Sequence, residues 1–154
     1  MSSRALFSLA AILGLVLLLP NAAFANTSND IQLYKITAAD KTSPGLHLGD
    51  RVVITAYSRN LGPTAAYMFS YYLPPTNLVI LREVCDNGRA TGDGPWCEPG
   101  SFAVGATFPE RVVAEIDATS GGAVAQMTFC AGDFDSSDPN PSNNCRTRSL
   151  PISH

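Results

Sequence analysis

The stretch DRVVITAYSRN, residues 50–60, decides the fold. Val52, Ile54 and Ala56 share one side of an extended backbone, while Val53, Thr55 and Tyr57 share the other. That is the two-residue period of a strand, filled with β-branched and aromatic residues that suit a pleated surface. The stretch ends at NLGP, residues 60–63, a turn signal.

Working outward, the same grammar recurs. IQLYKI (31–36) alternates apolar and polar residues, and a loop rich in Pro, Gly, Ser and Asp fills 37–49. TAAYMFSYYL (64–73) is stopped by Pro74-Pro75, which cannot donate ladder hydrogen bonds. NLVILREVC (77–85) precedes a glycine-rich loop, DNGRATGDGPW (86–96), leading to Cys97. TFPERVVAEIDA (107–118) turns Val112, Ala114 and Ile116 inward, and after a turn at Ser120-Gly121-Gly122 comes AVAQMTFCA (123–131). The final strand is NCRTRSL (144–150). Seven short extended segments without a helix among them predict an all-β sandwich over residues 31–150, with a closed barrel as the alternative.

The ends are read separately. Residues 1–25 carry Arg4, an apolar run from Ala5 to Leu19 and a small-x-small site at Ala23-Phe24-Ala25, the pattern of a secretory signal peptide. The run is shorter than the roughly 20 residues a membrane span needs. Residues 26–30 read as a flexible lead-in and 151–154 as a tail. The expectation is an exported chain without stable membrane insertion, periplasmic, secreted or at the cell surface. Beyond the leader, nine Lys or Arg face thirteen Asp or Glu, a net charge of −4. Phosphate recognition needs clustered positive charge, so nucleic acid is excluded as a partner.

Cys85, Cys97, Cys130 and Cys145 all lie in the exported part, where disulfides are favoured. Four cysteines allow three pairings. Adjacent pairing suits the hairpin reading: Cys130 and Cys145 would face each other at the neck of SSDPNPSNN (136–144), and Cys85 and Cys97 would close the glycine-rich loop.

The chain resembles a bacterial immunoglobulin-like repeat of unknown function, the conserved repeat domain of cell-surface and secreted proteins. The resemblance rests on GDRVVITAYSRNLGPTAA (49–66), LPP (73–75), the cysteine-containing middle and DPNPSNN (138–144), and covers about residues 30–150. Where that family has Asn-Asn-Gly-Pro, this sequence has Asn60-Leu61-Gly62-Pro63 preceded by Arg59. The resemblance implies an immunoglobulin-like sandwich and a structural or adhesive role rather than a catalytic one.

Candidate sites are few. His47, beside Asp50, and the terminal His154 are the only imidazoles, no serine sits in a G-x-S-x-G turn, and no carboxylate pair stands out by spacing. No cofactor is expected. Asp133, Asp135, Asp138 and Asn140 offer oxygen ligands for calcium, but without the glycine and closing glutamate of a known calcium loop; an acidic, turn-forming hairpin loop needs no ion, and no metal is expected. Tyr67, Phe69 and Tyr71 share one face of their strand and are expected to pack the core. Tyr72, on the other face, and Trp96 are the candidates for a contact patch, binding protein or glycan, if exposed together; otherwise Trp96 plugs the sandwich end against a Cys85–Cys97 link.

Overall fold

The computed structural model describes residues 28–40, 45–85, 89–90, 96–117 and 124–153. The signal peptide, the turn at 120–122, His154 and most of the glycine-rich loop lie outside the described residues. Among those described, nine strands run in chain order: β1 Ile31–Asp40, β2 Arg51–Asn60, β3 Ala66–Tyr72, β4 Leu78–Cys85, β5 Arg89–Ala90, β6 Trp96–Phe102, β7 Thr107–Ile116, β8 Val124–Asp133 and β9 Cys145–Pro151. One 3-10 turn, Pro141–Asn143, sits before β9.

The strands form two antiparallel sheets, one ordered β1-β2-β7-β4 and the other β5-β6-β3-β8-β9. In the immunoglobulin scheme the first is A-B-E-D, and β3, β8 and β9 are C, F and G. β5 and β6 extend the second sheet beyond C. The fold is therefore an immunoglobulin-like sandwich, and the two separate sheets replace the barrel alternative.

Alternation builds the core. Val52, Ile54 and Ala56 of β2 and Val112, Ala114 and Ile116 of β7 are buried, as the period-two reading expects, and meet Met68, Ala125, Met127 and Phe129 of the facing sheet. At about 25 cal/mol per Å² of apolar surface removed from water, such interleaved faces are the main source of stability.

Three elements differ from the sequence reading, the first being β5, a two-residue strand within the stretch 86–96 expected to be a loop. β6 occupies WCEPGSF, where Pro and Gly argue against a strand. Pro99 is tolerated because β5 pairs only with Cys97 and Glu98, so no ladder bond is required of it on that side. A register shift against β3 between Met68 and Ser70 sets Glu98 and Pro99 against the single residue Phe69, a bulge that takes up the extra residue. β1 also runs four residues further than expected, to Asp40, paired with Val52.

The NLGP turn is organised by a side chain. Asn60 is fully buried; its Nδ2 donates to the carbonyls of Thr64 (2.8 Å) and Phe102 (3.0 Å), and its Oδ1 accepts from Gly62 N (2.8 Å). Gly62, at φ +98°, takes a conformation L side chains rarely adopt, and the Gly62-Pro63 peptide is cis.

The SSDPNPSNN loop is a clamp on the start of β1. Asp138 Oδ2 accepts from Ile31 N (2.9 Å), Asn143 Nδ2 donates to Asp30 Oδ1 (2.8 Å), and Ser136 Oγ accepts from Asn29 N (3.1 Å). Asn29 is only 3% exposed, so residues 29–30, read from sequence as a flexible lead-in, are fixed parts of the domain. Replacing Asp138 by Ala leaves the Ile31 amide without its acceptor and should cost about 1–3 kcal/mol in urea unfolding. A cost under about 0.5 kcal/mol would show that the clamp does not hold β1.

Candidate functional site

The face of β3 turned to solvent carries the rings. Ala66, Met68 and Ser70 point inward, so Tyr67, Phe69 and Tyr71 stand on the outer face, contrary to the core role expected of them. Trp96 of β6 lies opposite Tyr71 in register, and Phe134 follows β8 on the other flank. Ring centroids run 5.7 Å from Tyr67 to Phe134, 4.6 Å on to Phe69, 5.5 Å to Trp96 and 4.9 Å to Tyr71. Tyr67, Trp96 and Phe134 are 42%, 38% and 49% exposed, whereas aromatic side chains of this size normally supply core area.

Glycine and aspartate place these rings. A Cβ on Gly132, directly across from Phe69, would come within 2.6 Å of Phe69 Cζ, so the bare backbone is what lets that ring lie against the sheet. Asp133 accepts at Oδ1 from Tyr67 N and Asp135 N (both 3.1 Å) and at Oδ2 from Asn29 Nδ2 (3.0 Å) and Ser136 Oγ (2.6 Å). Burial alone would raise its pKa; the hydrogen bonds outweigh that and hold it below the usual aspartate value. Phe134 N also donates to Tyr67 O (3.0 Å).

This geometry bears on the calcium candidate. Both oxygens of Asp133 are taken by protein donors, and Asp138 accepts from Ile31 N and Asn140 N. Among the described residues these acids do not converge at ligand distance of one another. Glu83, Cys85 and Cys97 do converge, within 4.8 Å, but both sulfurs are committed to a disulfide.

The contact pair proposed from sequence separates. Tyr72 faces inward, edge-on to Phe129 at 6.1 Å, and Trp96 faces outward, so the two belong to opposite faces of one sheet. His47 hydrogen-bonds through Nδ1 with the Ser153 carbonyl, 3.1 Å away, and its amide donates to Asp50.

A second cluster lies inside. Glu110 continues the inward stripe of β7 and is 1% exposed, beside Ser70 of the facing sheet and Glu83 of β4. Neither of its oxygens has a well-formed hydrogen bond. Burial pushes its pKa up to about 8; the Ser70 hydroxyl opposes the rise and the Glu83 charge adds to it. Burial also raises Glu83, and it raises Tyr72, with the two carboxylates adding. Extending the alternation of Val112, Ala114 and Ile116 backwards would have placed Glu110 inside. Three surface depressions among the described residues are lined by neither Glu83 nor Glu110.

Cys85 pairs with Cys97 and Cys130 with Cys145, the adjacent connectivity. The second closes the neck of the β8–β9 hairpin, as Cys130 and Cys145 are register partners. The first does more than staple a loop, because β4 and β6 belong to different sheets. Such bonding suits an oxidising compartment. Among the described residues no helix is long and apolar enough to cross a membrane.

No family model matches the sequence, and no curated protein matches it. Among solved structures the chain is similar to the CARDB domain of a Pyrococcus furiosus protein, solved in complex with di-metal ions, at TM-score 0.44 and 11% identity over 86% of this chain and 94% of that one. It is also similar to a DUF4466 family protein from Parabacteroides merdae, at TM-score 0.37 and 10% identity over 82% of this chain and 46% of that one.

Proposed function

We propose that this protein is an exported, non-catalytic contact module that binds another envelope or extracellular protein through the outer face of its five-stranded sheet. The observation that carries the reading is the row of five rings on that face, three of them more than a third exposed. Contact energy concentrates in such aromatic anchors. Glu110, the acid whose protonation is shifted furthest, is buried between the sheets and lines none of three surface depressions among the described residues, which favours binding over chemistry.

A protein partner is favoured over a glycan by the ring planes. Phe69 is tilted 48° to Phe134 and 42° to Trp96. Only Tyr71 lies near-parallel to its neighbours, at 26° to Trp96 and 21° to Phe69, so the row as a whole is corrugated, suited to side chains, whereas a sugar chain stacks best on parallel faces. Binding of the purified protein to the envelope fraction of its host is the test. Phe69→Ser combined with Trp96→Ser should weaken it at least about tenfold while the fold is retained. Protease treatment of the fraction should abolish binding and glycosidase treatment should not. Unchanged affinity would reject the aromatic face as the contact surface, and the reverse enzyme sensitivity would make the ligand a glycan.

A further inference from the structure

We propose that the Cys85–Cys97 bond is a thiol–disulfide exchange site for an external dithiol, and that the paired carboxyl groups of Glu83 and Glu110 hand a proton to the departing Cys97 sulfur. A Glu83 carboxylate oxygen lies within 4.8 Å of both sulfurs, and Glu110 on β7 is the register partner of Cys85. Ser70 and Tyr72 of β3 face the pair from the other sheet. Arg82 and Arg111, as partners of Val113 and Val84, alternate to the outer face of their strands. Glu98, beside Cys97, lines the recess at Tyr67 and Phe134 on the outer face of the second sheet.

The two sulfurs are not equivalent. Cys97 is fully buried and Cys85 half-buried, so a dithiol reaches Cys85 and Cys97 is the leaving group. A thiolate expelled into that dry site, beside two carboxyl groups, is poorly solvated and leaves slowly. A proton at hand removes the cost. The acids hold one. Both oxygens of Glu110 and one of Glu83 are buried without a well-formed hydrogen bond, and two such charges side by side do not both ionise. Burial pushes the Glu110 pKa up to about 8, in keeping with a retained proton.

The step balances. One thiolate of the dithiol forms a bond to Cys85 Sγ, the Cys85–Cys97 bond breaks, and its electron pair goes to Cys97 Sγ, which takes the carboxyl proton. The second thiol of the dithiol passes its proton to the emptied carboxylate pair and attacks its sister sulfur in the mixed disulfide. Cys85 Sγ is expelled and protonated from water. The dithiol leaves as a disulfide, oxidised by two electrons, and the two cysteines are reduced to thiols. Opening the bond unties β4 from β6, which belong to different sheets.

The test is reduction of the full exported chain by dithiothreitol between pH 6 and 9.5. Each bond is followed by alkylation and mass spectrometry, and Trp96, the single tryptophan and the neighbour of Cys97, by fluorescence. Opening of Cys85–Cys97 should be first-order in dithiol while the chain stays folded. Divided by the fraction of dithiol present as thiolate, its rate should fall about tenfold as pH rises through 8, where the proton is lost. Glu83→Gln with Glu110→Gln should be about tenfold slower than the parent at pH 6.5, no slower at pH 9.5, and flat when so divided. Rates at Cys130–Cys145 should match in the two proteins. A variant changed by the same factor at every pH would overturn the proton transfer and leave the acids a packing role. A flat profile in the parent would overturn it even where the variant does not fold. Opening at the rate of global unfolding, independent of dithiol concentration, would overturn the exchange site itself.

Discussion

Replacing Glu110 by Gln should flatten the dependence of stability on pH between 4.5 and about 8, and should leave the variant the more stable protein at the upper end. The folded pKa of about 8 lies above the ordinary value of 4.5, so across that window the folded protein holds a proton that the unfolded chain has released. Stability from this group is complete below 4.5, falls as pH rises, and is lost above the folded pKa. At 1.36 kcal/mol for each pH unit, the full swing is roughly 4–5 kcal/mol. Glu83, also raised, acts in the same direction. Asp133, whose pKa is lowered, contributes stability that is lost only as pH falls through that lowered value, below the window.

Glutamine keeps the shape and cannot ionise. Its buried amide lacks good partners and should cost about 1–3 kcal/mol at pH 5. The urea midpoints of the two proteins should therefore cross between pH 5 and pH 8. Parallel decline of both would show that the slope comes from other groups.

How far the sequence foretold all this depends on how many alternatives each residue allowed. β2 and β7 were legible because their alternation runs long, with β-branched residues and a consistent inward set at Val52, Ile54, Val112 and Ala114. β3 was harder, because both its faces are apolar: Ala66 and Met68 on one, Tyr67 and Phe69 on the other. Ring size argued for burying the aromatics, but the inward set is Ala66, Met68 and Ser70, and the facing sheet puts Glu110 against Ser70. That pairing is 40 residues apart in sequence and leaves no local trace. β6 was hidden because Pro99 and Gly100 are turn residues in isolation, and only a bulge against β3 and the end of the β5 pairing at Glu98 make them acceptable. The disulfide pairing followed from the hairpin for Cys130 and Cys145. That Cys85–Cys97 spans the two sheets depended on where β4 pairs, which the sequence does not encode locally.

Removing either disulfide should destabilise the protein by roughly 2–5 kcal/mol, but the two losses should differ in kind. The bonds lie 12 and 15 residues apart in sequence, so the entropy regained by the unfolded chain is nearly equal. The Cys130–Cys145 bond joins strands already paired in one sheet, and Cys130→Ser with Cys145→Ser should lower stability by the same amount at every pH. Cys85–Cys97 ties the sheets together where Glu83 approaches the sulfurs and Cys85 is the register partner of Glu110. Without it, water reaches the Glu83–Glu110 pair, the burial that raises Glu110 weakens, and the folded pKa moves back toward 4.5. The variant Cys85→Ser with Cys97→Ser should therefore be destabilised most at pH 5 and least at pH 8, with a shallower pH slope than the parent. Combined with Glu110→Gln, its cost should become independent of pH, since the coupled partner has been removed. An undiminished slope in the Cys85→Ser, Cys97→Ser protein would show that sheet packing alone, without the bond, keeps Glu110 dry.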